Sequence, residues 1–175
     1  MKGIIILTAI IACSCAINCS SSKKVGCVDG DCKSKNSAYY WKDGSHYIGG
    51  YVAGVPSGKG TYVWADGKKY EGDMLKGQPH GRGTLVFPNG EKYEGDIQNN
   101  VFVGKGTYTY KDGRVYTGEF KAGKPEGTGM MTWPDKTKYE GQFKNGTMEG
   151  KGVRTLPDGS KEKGTFLPGG IFVND

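Results

Sequence analysis

Two pairs of carboxylates stand two residues apart, Glu71 with Asp73 and Glu94 with Asp96. Glycoside hydrolysis uses such a pair, one carboxyl donating a proton while the other attacks or activates water. These pairs, however, return at the same place in a repeated unit, on the charged side of an alternating segment, as scaffold residues do. The two histidines, His46 and His80, do not recur, and neither has the cysteine or carboxylate companions of a general base or a metal ligand. Glycine-rich stretches abound, yet none ends in Gly-Lys-Ser/Thr before a helix, as a phosphate cradle requires. These residues define no catalytic constellation, no metal site and no cofactor site, and the chain reads as a non-enzyme.

The five cysteines carry a different chemistry. Met1 and Lys2 make a short basic start, and residues 3–12 are apolar apart from Thr8. That run is too short to span a bilayer and has the length of a signal-peptide core. Cys13, Cys15 and Cys19 crowd behind it, followed by Ser20, Ser21, Ser22, Lys23 and Lys24. A cysteine behind an apolar core and ahead of a small polar tract resembles a bacterial lipoprotein signal. The resemblance implies cleavage that leaves an acylated N-terminal cysteine, and a lipid-anchored protein of the bacterial cell envelope, periplasmic or on the surface. Ile10-Ile11-Ala12-Cys13 fits the residue types better but leaves a signal of only twelve residues. Ala16-Ile17-Asn18-Cys19 gives a more usual length, with Asn18 where a small residue normally stands. Cys19 is therefore the expected lipidation site, with Cys15 and Cys13 as alternatives, and 1–18 the expected signal peptide. A plain secretory signal with incidental cysteines is the competing reading.

Cys27 and Cys32 flank Val28-Asp29-Gly30-Asp31. An Asp-Gly turn can bring the two thiols together, and an extracytoplasmic location allows a small disulfide loop. Their spacing is not that of a zinc knuckle, and Asp29 and Asp31 lack the later ligands of a calcium loop. Residues 19–38 otherwise read as a flexible tether.

A period of 23 residues positions the rest, unbroken over 47–161. Tyr47, Tyr70, Tyr93, Tyr116 and Tyr139 each open a unit, each has glycine two residues on, and each unit carries a later Gly-x-Gly pair such as Gly81/Gly83. Strict self-similarity of this kind means a repeat architecture. Composition agrees: 35% hydrophobic residues and 31 glycines in 175 residues suit a ribbon whose units pack only on their neighbours. Eleven tyrosines and plentiful threonine favour strands. The net charge is +6, or +5 once Lys2 leaves with the signal (23 basic against 18 acidic residues). Acids and bases are interspersed, which suits a solvated surface and no nucleic-acid partner.

Within the unit 70–92, Tyr70-Glu71-Gly72-Asp73-Met74 alternates as a half-buried strand. Lys76 through Gly81 reads as a turn segment, Gly83-Thr84-Leu85-Val86-Phe87 as the returning strand, and Pro88-Asn89-Gly90 as a hairpin turn in which Asn-Gly takes positive φ angles. The fourth unit has Asp135-Lys136 there, so its turn is expected to be the most strained or the longest. Tyr70, Gly72, Met74, Gly83, Leu85 and Phe87 share one face, with rings lying on bare glycine backbone. Glu71, Asp73, Arg82, Thr84 and Val86 share the other.

The string Tyr-Glu-Gly-Asp, then Gly-x-Gly, then Asp/Asn-Gly, recurring in register at 23 residues, resembles the MORN (membrane occupation and recognition nexus) repeat. It covers five full units, 47–69, 70–92, 93–115, 116–138 and 139–161, with partial units over 39–46 and 162–175. Asn100, Lys136 and Arg154 depart from the pattern. The resemblance implies an all-β, single-layered, elongated and twisted antiparallel sheet of tandem hairpins over 39–175. The partial units and Lys161, Glu162 and Lys163 would protect its ends. It implies contact with protein and, less directly, with phospholipid. For this chain itself the expectation is a monomer whose repeats carry no attached catalytic domain. Trp64, Phe87, Tyr110 and Trp133 fall once per unit along a line and are the candidate groove residues, unless they are core. A wall- or glycan-binding lipoprotein stacking sugars on those rings is the alternative function, and an uncharacterised enzyme the third reading.

Overall fold

The structure is a computed structural model that describes residues 25–33, 36–168 and 170–175. The expected signal peptide and Cys13, Cys15 and Cys19 lie outside the described residues. Regular structure among the described residues is all strand. The N-terminal strands are β1 (Gly26–Asp29) and β2 (Ser37–Tyr40). Ten repeat strands follow: β3 (His46–Val52), β4 (Val55–Val63), β5 (Lys69–Leu75), β6 (Gln78–Val86), β7 (Lys92–Gln98), β8 (Val101–Thr109), β9 (Val115–Lys121), β10 (Lys124–Thr132), β11 (Lys138–Lys144) and β12 (Thr147–Thr155). β13 (Lys161–Leu167) and β14 (Ile171–Asn174) close the chain. All fourteen form one open antiparallel sheet in chain order. Each unit contributes a seven-residue strand from its tyrosine and a nine-residue return.

One row of glycines crosses the sheet. Gly49, Gly60, Gly72, Gly83, Gly95 and Gly106 are successive cross-strand partners. Gly118, Gly129, Gly141, Gly152 and Gly164 continue the row to β13. The five unit-opening tyrosines lie over this row and are 0% exposed. A Cβ on Gly72 or Gly83 would come within 2.6 Å or 2.5 Å of the Tyr70 hydroxyl, so only glycine leaves room for the ring. Met74, Leu85, Ile97, Phe120, Met131, Phe143 and Phe166 fill the spaces between tyrosines. A single layer thus acquires a buried core, because the bare row lets large rings lie against backbone instead of a second sheet.

The two ends of the hairpins differ. Leu75 pairs with Gln78 around Lys76 and Gly77, both at positive φ (50° and 79°). That is the type I′ turn that suits strand twist. The expected turn over residues 76–81 therefore shrinks to two residues, and Pro79 lies in β6 opposite Met74 at a register shift. Proline is tolerated there because a bulge leaves no ladder bond for it to donate. Its carbonyl accepts the amide of Asn100 in the next unit at 3.0 Å, as Pro56 accepts Gly77 at 2.9 Å. Asn100, despite replacing the usual glycine, keeps this geometry at φ 66°.

At the other end, Gly90 N–H donates to Phe87 O at 3.0 Å and Phe87 N–H to Glu91 O at 2.8 Å. Only Gly90 takes positive φ (91°), which corrects the expectation for Asn89. Asn89 serves instead through its side chain, whose Oδ1 accepts the Glu91 amide at 3.0 Å. Lys136 adopts φ 74° and donates to Trp133 O at 3.0 Å. Its turn is strained but no longer than its siblings.

Two further boundaries move. β1 and β2 belong to the sheet, so the flexible tether expected over 19–38 does not extend past Val25 as a tether. The C-terminal edge strand is β14, with Ile171 and Val173 exposed, and Lys161, Glu162 and Lys163 sit one strand inside it. Arg154, the charge at an apolar position, pairs with Glu162 at 2.6 Å and lies over the Phe172 ring at 4.7 Å.

Candidate functional site

The unit-opening tyrosines of this face are satisfied, each hydroxyl donating to the carbonyl three residues on: Tyr70 to Asp73 at 2.6 Å, Tyr93 to Asp96 at 2.8 Å, Tyr116 to Glu119 at 2.9 Å. The buried Tyr51 hydroxyl beside Tyr47 has no partner. Burial pushes the Tyr70 and Tyr116 phenols up to about 12 and Tyr93 higher still, because a phenolate here would have no solvent. These residues hold the fold and keep their protons at physiological pH.

Trp64, Phe87, Tyr110 and Trp133 lie on this face as half-buried rings packed against the tyrosine core. Trp64 meets Tyr62 at 4.5 Å and carries the Lys68 ammonium 4.1 Å above its ring. Tyr110 meets Tyr108 at 4.7 Å and carries the Arg114 guanidinium at 4.8 Å. Their packing follows from the strand period, which returns these positions to the tyrosine side.

A depression of about 360 Å³ lies beside Tyr110, between Glu91, Lys111, Asp112 and Arg114. The two that follow the glycine row from β3 lie on the opposite face. The larger, about 660 Å³, has Gly49, Gly60, Gly72 and Gly83 as its floor. Thr61, Glu71, Thr84 and Glu94 stand on one side of that row and Lys59 and Arg82 on the other. It continues past Gly106 and Gly118 between Thr107, Thr117, Lys105 and Glu119, and reappears at Gly141 and Gly152 beside Glu140 and Lys151. On this face the groove has a floor of backbone between rails of threonine, carboxylate and ammonium. Strand alternation explains it: the residues flanking each glycine in sequence project away from the tyrosines and wall the row on this side.

Part of the charge in the groove is paired, Glu71 with Lys69 at 3.4 Å and Glu94 with Lys92 at 3.0 Å. Lys59 meets Asp73 at 2.8 Å, which holds that carboxyl below the usual carboxylate range. Asp73 Oδ2 also accepts the Arg82 amide at 3.3 Å, and Asp96 does the same for Lys105, so both carboxylates tie down the bulge beside them. Asp73 and Asp96 therefore act as scaffold. No group of three or more His, Cys, Asp or Glu side chains able to hold a metal occurs among the described residues. His46 stacks on Tyr40 at 4.9 Å, and the Nδ1 atoms of His46 and His80 are buried without partners. Cys27 and Cys32 are joined by a disulfide, with Cα atoms 5.9 Å apart, and the Cys32 amide donates to Ser37 Oγ at 2.9 Å. Proline at the same place in three units (Pro56, Pro79, Pro125) was a legible sign of a recurrent bulge, and with it of where the groove wall kinks.

A single open sheet of 23-residue hairpin units, with a tyrosine core on one side and a polar groove on the other, defines a repeat scaffold. The MORN repeat matches at residues 47–69, 70–92, 93–113, 116–138 and 139–161, more than half of the chain, which therefore belongs to the MORN repeat family. No curated protein matches it. Among solved structures it is similar to the SAS-4 (dCPAP) TCP domain of Drosophila melanogaster, solved with a proline-rich motif of Ana2 (dSTIL). The two share 14% identity over 85% of this chain and 95% of that one, with a TM-score of 0.42. It is also similar to the wild-type TCP10 domain of Danio rerio CPAP, at 16% identity over 80% of this chain and 71% of that one, TM-score 0.32.

Proposed function

We propose that this chain is a non-catalytic binding scaffold that holds a protein segment along its glycine-row groove and is fixed to a membrane through an acylated Cys19. The observation that carries the reading is the groove. It crosses successive units, is floored by main chain, and is walled by short hydroxyl and charged side chains that can bond an extended polar ligand. The Cys27–Cys32 disulfide supports a place outside the reducing cytosol, in the bacterial envelope.

Thr84→Arg together with Thr107→Arg fills the groove from two half-buried strand positions. A partner recovered from membranes with the full chain should be lost with this double variant and kept with Lys68→Glu, whose side chain lies over Trp64 on the other face. Retention by the groove variant overturns the assignment. For the anchor, Cys19→Ala should abolish membrane partition and palmitate incorporation; a mutant that still takes up the label refutes Cys19 as the acylated residue.

A further inference from the structure

The rings at the turn margin of the tyrosine face take no part in the groove and are only half absorbed by the core. Trp41, Trp64, Phe87, Tyr110 and Trp133 fall at the same place in successive units, and all five are half-buried. Each is fixed by its own turn, as Trp64 N–H donates to Lys68 O at 2.8 Å and Trp133 N–H to Thr137 O at 2.9 Å. Successive rings are therefore two strands apart, about 10 Å. Two of them carry a cation over the ring, the Lys68 ammonium on Trp64 at 4.1 Å and the Arg114 guanidinium on Tyr110 at 4.8 Å. Such long side chains keep a solvated head and can swing aside.

Each ring also has an acid or amide in its turn. Asp66, Asn89, Asp112 and Asp135 recur 23 residues apart, and each Oδ1 accepts the backbone amide two residues on. Asp66 and Asp135 keep their second carboxylate oxygen free among the described residues. Between the turns of Phe87 and Tyr110, the depression of about 360 Å³ gathers Glu91, Asp112 and Arg114 beside the Tyr110 ring. Glu91 is held in place there by the Tyr108 hydroxyl at 2.9 Å and Asn89 Nδ2 at 3.0 Å.

A row of flat rings, each beside an acid and some beside a base, suits a neutral ligand with apolar ring faces and hydroxyl edges. The recurring acids repel a phosphate chain. A β-1,4-linked glycan shows the same sugar face once every second residue, a repeat close to two strand spacings. Its C–H faces stack on aromatic rings, and its hydroxyls bond carboxylate, amide and guanidinium. Sheet twist of about 20–25° per strand turns each ring about 45° from the last. A single soluble chain can follow that turn, and a flat crystalline array cannot.

We infer that Trp64, Phe87, Tyr110 and Trp133 form a platform for a single chain of neutral β-1,4-linked pyranoses, each ring stacking on every second sugar while the turns hold the hydroxyls. The cleft beside Tyr110 is its best-formed subsite. This inference rests on neither the groove nor the anchor, since it concerns the other face.

The full chain in detergent micelles is titrated with cellohexaose and with N-acetylchitohexaose, followed by tryptophan fluorescence and calorimetry, with maltohexaose as the comparison. At least one β-1,4-linked hexasaccharide should bind saturably, more tightly than its disaccharide and more tightly than maltohexaose. Phe87→Leu together with Tyr110→Leu breaks the row in its middle and should weaken binding at least about tenfold. Leucine already stands at this position in the last turn, where Leu156 N–H donates to Ser160 O at 2.9 Å, so the turn itself tolerates it. The groove variant Thr84→Arg with Thr107→Arg should bind the glycan as the wild type does. No saturable binding of either β-1,4 hexasaccharide, equal affinity for maltohexaose, or an unweakened leucine variant overturns the inference. Loss of glycan binding in the groove variant overturns the choice of face. Concentration-dependent dimerisation that the leucine variant abolishes would make the row an interface between copies, and overturns it too. The wild-type titrations decide the question whether or not the leucine variant keeps its stability.

Discussion

Gly95 and Gly90 need glycine for opposite reasons. Gly95 has ordinary strand geometry, but a Cβ there would lie 2.5 Å from Gly106 Cα and 2.6 Å from both Lys105 O and the Tyr93 hydroxyl. Gly90 has open space around it and a φ of 91°. Gly95→Val should therefore cost about 3 kcal/mol or more through clash, and Gly90→Asn about 1 kcal/mol or less, since asparagine tolerates the left-handed region. Denaturant titration checks both, and an unchanged midpoint for Gly95→Val would show that the tyrosines do not lie on this row. Lys136 gives the reverse experiment. It holds φ 74° where its siblings have glycine, so Lys136→Gly should raise stability by about 1 kcal/mol, read as a higher melting temperature.

At the scale of the hairpin, the two turn types divide the work. The longer turns are held by a carboxylate or amide oxygen that accepts the amide two residues on, as Asp66 does for Lys68 at 2.9 Å and Asp112 for Arg114 at 3.1 Å. The recurring acid in these turns is therefore a backbone partner, which explains its period without chemistry. The two-residue turns rest on positive φ angles, with side-chain help at Asn145, whose amide donates to Glu126 Oε2 at 2.8 Å, and their second residue stitches neighbouring units, as Gly146 does to Pro125 O at 2.9 Å. Ala122 occupies the first position at φ 50° with no side-chain compensation. Ala122→Asn should stabilise the fold by about 0.5–1 kcal/mol, because asparagine visits the left-handed region more readily. Differential scanning calorimetry that shows no gain would place the constraint elsewhere in that turn.

Across the whole molecule, stability runs through one stripe of tyrosines. Burial raises the phenol pKa values of Tyr47, Tyr70, Tyr93, Tyr116 and Tyr139. For a group whose folded pKa lies above its unfolded value, stability is fully present below the unfolded pKa and is lost as pH rises through the folded one. With an ordinary phenol near 10 and Tyr70 and Tyr116 at about 12, the loss falls between about pH 10 and 12. Tyrosinate absorbance should therefore rise steeply in that window together with loss of the β-sheet circular dichroism signal. Independent titration of all eleven tyrosines near 10, with the sheet intact, would contradict a buried stripe.

The tyrosine period, the two glycines per unit and the alternation of faces were legible in the chain because each is a local rule, set by strand geometry and by which residue has no Cβ. Tyr70 and Gly72 already imply a ring on backbone before any partner strand is placed. Three things were not local. The start of β6 at Gln78 depends on a bulge that only the pairing with β5 creates. β1 and β2 join the sheet because the first unit offers them an edge, although residues 26–38 carry little strand pattern of their own. The glycine-row groove lies on the face away from Trp64, Phe87, Tyr110 and Trp133, whose rings pack on the tyrosine side. A sequence window sees one unit, and burial in a single-layered sheet is decided by the unit next to it.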